Sequence, residues 1–348
     1  MRPLPIFLLA LGTAARDFRS WYPEYGAIFD STLNGECSAE YEAWKPGNQG
    51  MPMTSNGTTS LGEAVVQCLL SSTSEFIKTN TASAAVLLGI TPFALSVLGS
   101  SSEESALLYV IARRPLLTTF LLAGSPVTSA LRPFEYKPPV GILRSREGRF
   151  YSIKLGPAWF VLFLEYFIAL ACVANVAHVT YELGVGVITM LLPDSSFLPG
   201  LWAATGILVH VIGAACLKSR LRLVRPDGET LLASEFTLSS DKDVKVETIP
   251  ETKLFLVLSW LTSTCTTFHV IFGTLAFSSM QFISVRDAFG VIGRYTASVT
   301  LCRVITMYEM SGLRSSVGGP DANYTDEGQD PVDGVKAGPL PRVFTFAP

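Results

Sequence analysis

Residues 157–177 read PAWFVLFLEYFIALACVANVA, an apolar run broken by a single glutamate, Glu165, and carrying no basic residue. A helix crossing the hydrocarbon core of a bilayer needs about 20 consecutive, mostly apolar residues, and this run supplies them. Two more follow, LWAATGILVHVIGAACL at 201–217 and LFLVLSWLTSTCTTFHVIFGTLAF at 254–277, and a weaker one at 82–99 precedes it. Few soluble chains carry several such runs. The expected fold class is therefore an all-α membrane protein with four transmembrane helices, a fifth left open, and a small exported N-terminal segment. With their flanks, the expected spans are 82–99, 157–180, 201–217 and 254–280.

Composition agrees. The 348 residues are 49% hydrophobic and the mean hydropathy is +0.38, as suits a chain that is part bilayer and part water. The net charge of −3 is too near zero to argue for a nucleic-acid partner. No His-Glu-x-x-His pair, phosphate-binding Walker loop or Gly-x-Ser-x-Gly elbow is present, which sets aside the enzyme classes those motifs serve. His178-Val-Thr-Tyr-Glu182 has the wrong spacing for the first.

The N-terminus reads as an export signal over residues 1–15. Arg2 supplies a positive start, residues 6–11 a short apolar core, and Thr13-Ala14-Ala15 the small residues of a cleavage site. A membrane anchor is the alternative, but the core is too short to span. Residues 16–81 then form the exported segment, where acidic residues outnumber basic ones. Its two cysteines, Cys37 and Cys68, are expected to pair, because an even count in an exported stretch signals a disulfide. Asn56-Gly57-Thr58 is an N-glycosylation acceptor, consistent with the secretory pathway.

Charge then orients the spans. Residues 100–156 carry eight Lys and Arg against four glutamates, and such loops stay cytoplasmic. The connector at 181–200 holds no Lys or Arg, whereas Lys218, Arg220, Arg222 and Arg225 follow the third span directly. All three loops agree, placing 218–253 inside as well. Within the basic linker, the apolar stretch at 106–124 is broken by Arg113-Arg114-Pro115. Each arginine at a helix centre costs about 2.5–3.5 kcal/mol. The expectation is a broken helix on the inner membrane surface, with Arg113 and Arg114 facing anionic lipid headgroups. The alternative is a buried helix pair in a cytoplasmic subdomain.

Residues 287–311 pose the remaining problem. Arg294 and Arg303, nine residues apart, fall on opposite faces of a helix. Their combined cost favours an amphipathic helix over a fifth span. Against this, a four-span chain leaves Arg286, Arg294, Arg303 and Arg314 outside. Residues 221–237 alternate around Pro226-Asp227-Gly228 and suggest a hairpin. The tail at 312–348, rich in Gly, Pro and Asp, is expected to be disordered and carries a second acceptor at Asn323.

Ionisable groups inside the bilayer are the functional candidates, because they are costly to keep there. They are Glu165, His210 and His269. His210 shares a helical face with Ala203, Gly206 and Gly213; His269 with Ser259, Thr262, Thr266 and Gly273; Glu165 with Ala169 and Cys172. All three should point inward. At 1.5 Å per residue the two histidines lie within about 5 Å of one depth. The first expectation is that they hydrogen-bond neighbouring helices. A proton- or solute-handling role is the second, and a haem iron held by both histidines the third; otherwise no cofactor or metal is expected. Glu165 lies nearer the cytoplasmic side and would need a partner such as Arg303.

Phe272-Gly273-Thr274-Leu275-Ala276-Phe277-Ser278-Ser279, Asp287-Ala288, Cys302-Arg303 and Tyr308-Glu309 resemble a pattern in multi-pass proteins of filamentous fungi. Arg113-Arg114-Pro115-Leu116 and Phe134-Glu135-Tyr136 are similar to the same group. The resemblance covers most of 82–312. It implies an uncharacterised fungal membrane-protein family and attaches no activity. The protein is thus expected to be a non-enzymatic membrane protein with an interaction or organising role, and a proton-coupled or small-solute transporter is the alternative.

Overall fold

A computed structural model of the protein describes residues 18–45, 61–129, 156–193, 195–224, 230–242 and 245–317. The expected signal at 1–15, the acceptors Asn56 and Asn323, and the basic residues of 132–154 lie outside the described residues.

The N-terminal segment folds as three short helices, α1 (Gly26–Asn34), α2 (Ser38–Trp44) and α3 (Leu61–Ser72). The expected Cys37–Cys68 disulfide is formed, with a Cα–Cα distance of 5.8 Å across 31 residues. Phe18, Phe29, Leu33, Trp44 and Leu69 make a small core, completed by two residues from far along the chain, Ile188 and Phe282. The head does not bury its apolar surface alone, as expected for so short a segment.

Four helices are long and apolar enough to cross a membrane: α4 (Glu75–Leu98), α7 (Ala158–Gly186), α8 (Leu198–Arg220) and α10 (Lys253–Ser278). Between them lie α5 (Ser102–Val110), α6 (Pro115–Gly124) and α9 (Leu231–Glu235), and the last described helix is α11 (Val285–Val317). The fold is all-α with four such helices, as the apolar runs implied. α4 starts well before residue 82 because Ser74 caps it, accepting a hydrogen bond from the Ile77 amide at 3.5 Å. Thr252 caps α10 in the same way, and Lys218 and Arg220 occupy the last turn of α8, where cations suit the helix dipole.

α8 packs on α10 and on α5, α10 on α4, α7 on α6, and α11 lies against both α4 and α7. A core around Trp202, Phe277, Tyr295 and Leu183 fills one half of the bundle. Leu107, Leu117, Leu217 and Leu313 fill the other. Two short ribbons close the ends. β1 (Ile188–Thr189) pairs with β4 (Met280–Gln281), and β2 (Leu221–Val224) pairs antiparallel with β3 (Lys245–Thr248).

Two expectations need correction. Residues 221–237 do not fold back on themselves, since β2 finds its partner at 245–248 and Leu231–Glu235 is helical, started by the Thr230 cap. The helix pair at 102–124 does break at Arg113-Arg114-Pro115, with Arg113 at φ 51° and Pro115 in the first turn of α6. However, it is not spread over the outside of the bundle. α5 and α6 are packed among the long helices, with Leu107, Leu108, Leu117 and Leu121 all buried.

Candidate functional site

Glu165, His210 and His269 are all buried, at 4%, 1% and 4% relative exposure. They belong to two separate polar assemblies. Small residues make the first one. After Gly124 the chain leaves the helical path and runs through Ser125, Pro126, Val127 and Thr128, all buried, between α8, α10 and the end of α4. Gly206 lets it pass, because a Cβ there would collide with the Pro126 carbonyl. The small-residue face that includes Gly206 and Gly213 thus receives this extended strand and Ser102 of α5.

An extended strand inside a bundle must find partners for its backbone, and the two histidines serve it. His269 reaches the Pro126 carbonyl with Nε2 at 3.1 Å and Thr205 with Nδ1 at 3.0 Å. Its ring stacks on Trp202 at 5.5 Å. His210 contacts Ser105 with Nδ1 at 2.7 Å, and its Nε2 faces Thr128 at 3.3 Å and the Val127 carbonyl at 3.4 Å. All four ring nitrogens are therefore engaged by protein. In each imidazole Nε2 faces a carbonyl, which can only accept, and Nδ1 faces a hydroxyl. A haem iron would need one nitrogen freed on each ring and the Trp202 stack opened, so this arrangement does not fit a haem.

Beside His210 is a cavity of about 10 Å³ lined by Ser100, Ser105, Thr118, Ser125 and Thr306 as well as leucines. A water needs roughly 10–15 Å³ on this measure and two or more polar partners. The cavity lies where α4 ends at Gly99 and α6 ends at Gly124, so two broken helices present chain ends to it.

The second assembly centres on Arg114, which is 0% exposed. Its guanidinium bonds Glu309 at 2.7 Å, Glu165 at 2.9 Å and the Glu235 carbonyl, through Nε, at 3.1 Å. Burial alone would discharge this group, but Glu309 and Glu165 outweigh that effect and raise its pKa above the ordinary arginine value. Glu235 accepts from the backbone amides of Leu116 and Leu117 at 3.0 and 2.9 Å, capping α6 from a distant loop, and from the Tyr166 hydroxyl. Ser239 donates to Glu309 at 2.5 Å. Lys242 donates to the Ala112 and Ser234 carbonyls.

Arg114 was expected at lipid headgroups and is instead enclosed by carboxylates. Leaving an arginine in the apolar run at 106–124 was affordable only because Glu165, Glu235 and Glu309 converge on it. Glu165 does acquire an arginine, but Arg114 rather than Arg303, which pairs with Glu104. Sequence reasoning missed Arg114, Glu235 and Glu309 as partners. The available signal was three glutamates and one arginine, each set in an apolar stretch. Among the described residues no group of three or more His, Cys, Asp or Glu could hold a metal ion. Cys172 and Cys302, buried and free, lie against Gly124.

Comparison with protein-family models, with curated proteins and with solved structures finds no match to this chain.

Proposed function

We propose that this chain is a multi-pass protein of a secretory-pathway membrane that works by interaction rather than catalysis, presenting its disulfide-closed head on the outer face. The observation that carries this is that the buried imidazoles and the buried Arg114 face protein groups on neighbouring segments. Nε2 of His210 and of His269 props residues 126–128 while Nδ1 of each meets a hydroxyl on a neighbouring helix, and Arg114 lies in ion-pair contact with both Glu165 and Glu309. Such groups fix a packing arrangement. The head is fixed with it, because Phe282 of the α10–α11 turn inserts beside Phe29 at 5.2 Å and Trp21 at 5.8 Å. Phe282 holds φ at 68°, a costly conformation for an aromatic residue that this packing enforces. A rigid platform suits a protein that organises others.

The cavity beside His210 favours a second reading, proton or small-solute handling. Sites in transporters form where helices are interrupted, and here the ends of α4 and α6 both meet the cavity. Proteoliposomes holding the purified protein decide between the two. Under the first reading an imposed pH gradient decays no faster than in empty vesicles. Faster decay that His210→Gln abolishes would establish the second.

A further inference from the structure

We infer that α11 crosses the membrane as a fifth span, with an uncharged lipid-facing surface over residues 289–304 and the chain beyond 317 on the inner side. The inference rests on the membrane reading above and adds a crossing that hydropathy does not mark.

The two ends of α11 lie at opposite ends of the bundle. At its start, the Val285 amide donates to Asn80 at 3.0 Å, and the preceding Ser284 donates to Glu24 of the head at 2.8 Å. At its end, Glu309 accepts from Ser239, and Gly312 lies against the backbone of Ser240, both in the loop that follows α8. In between it packs along α4 and α7. Its 33 residues rise about 50 Å at 1.5 Å each, more than the roughly 30 Å hydrocarbon core. A surface-lying amphipathic helix would touch one end of the bundle only.

Its charges are matched: Glu309 is buried, and the part-exposed Arg294 and Arg303 each meet a carboxylate on a neighbouring helix. Three charged side chains lie between 288 and 313. Arg294 pairs with Glu182 and also bonds Asn175 at 3.0 Å, Arg303 pairs with Glu104, and Glu309 bonds Arg114 at 2.7 Å. The insertion cost of an arginine refers to a side chain without such a partner, so the sum that argued for a peripheral helix does not apply. Between 289 and 304 the exposed residues are Phe289, Gly290, Gly293, Ala297, Thr300, Leu301 and Val304, with no charge among them; the exposed Arg286 lies in the first turn, at the head end. α7 and α10 likewise expose large apolar side chains, among them Phe163, Phe167, Leu256 and Phe268. Acyl chains are the partner that fits both. Arginines facing opposite sides of the helix are compatible with this, because α4 and α5 cover one side and α7 the other.

The two natural acceptors test the crossing in cells with a secretory pathway. Asn56 should be glycosylated and Asn323 should not, nor should an acceptor added after Pro348, and an epitope at that end should stain only in permeabilised cells. Glycans on both Asn56 and the added site would overturn the fifth span while leaving the membrane reading intact. Release of the chain by alkaline carbonate would sink that reading and this one together. A second measurement uses Cys172 of α7 and Cys302 of α11, which both lie against Gly124. With Cys216 and Cys265 replaced by Ala and a protease site placed in the 218–253 loop, oxidation in membranes should keep the two fragments joined. Separation of the fragments despite oxidation would place α11 outside the bundle and overturn the inference.

Discussion

The Glu309 carboxylate lies 2.7 Å from the Arg114 guanidinium, binding the last third of the longest helix to the turn between two of the shortest. Glu165 closes the arrangement from a third helix at 2.9 Å. One cation thereby holds α6, α7 and α11 together, and the loop carrying Glu235 joins them.

Removing the cation should be costly. Arg114→Ala leaves two buried carboxylates without a counter-charge, and breaking such a pair typically costs about 3–5 kcal/mol. Thermal unfolding in detergent should show a large fall in Tm. The triple variant Arg114→Met, Glu165→Gln, Glu309→Gln should recover most of it. Equal losses in the single and triple variants would mean the charges themselves are not the issue.

The head depends on its covalent closure. Cys37→Ser with Cys68→Ser reopens a loop of 31 residues, worth roughly 3–4 kcal/mol in the chain-entropy model. Limited proteolysis should then cut within 18–81 at protease levels that spare the native protein. Unchanged resistance would show that packing against Ile188 and Phe282 suffices.

Two glycines in long helices should respond oppositely. Gly206→Val drives a side chain into the Pro126 carbonyl, and overpacking costs about 1–3 kcal/mol. Gly293→Ala meets nothing within 4 Å and should stabilise the protein by about 0.5–1 kcal/mol, since Ala loses less backbone freedom than Gly in a helix interior. Comparing the two Tm shifts checks the placement of residues 125–129.

The histidines should rank below the arginine. Interhelical hydrogen bonds in membranes average about 0.6 kcal/mol each, so His269→Gln, which keeps a donor and an acceptor, should cost little. His269→Leu should cost more, since the Pro126 carbonyl and Thr205 lose their partner. Tm values for the pair give the comparison. A Gln variant as unstable as the Leu variant would point to the Trp202 stack instead.

Local signals were sufficient for some features. Apolar length marked α7, α8 and α10, and Pro115 after two arginines marked the break before α6. Helical spacing placed Glu165, His210 and His269 on inward faces. What those residues touch was not legible, because each partner lies far along the chain: Arg114 for Glu165, Thr128 for His210, Pro126 for His269. The hairpin expected at 221–237 failed similarly, since β2 took a strand from beyond the nearest turn. The peripheral placement of Arg114 failed because the insertion cost was counted one segment at a time.

By itself, then, the order of residues determined which segments prefer lipid, which cysteines pair and which polar groups are turned from the surface. Each of these depends on neighbours a few positions away or on the cysteine count of one segment. Only the tertiary structure decided where charge is cancelled, and hence that α11 lies along the bundle and that α5 and α6 lie within it. Electrostatic compensation in a low-dielectric interior acts through space between groups distant in the chain, and no window of sequence contains both halves of such a pair.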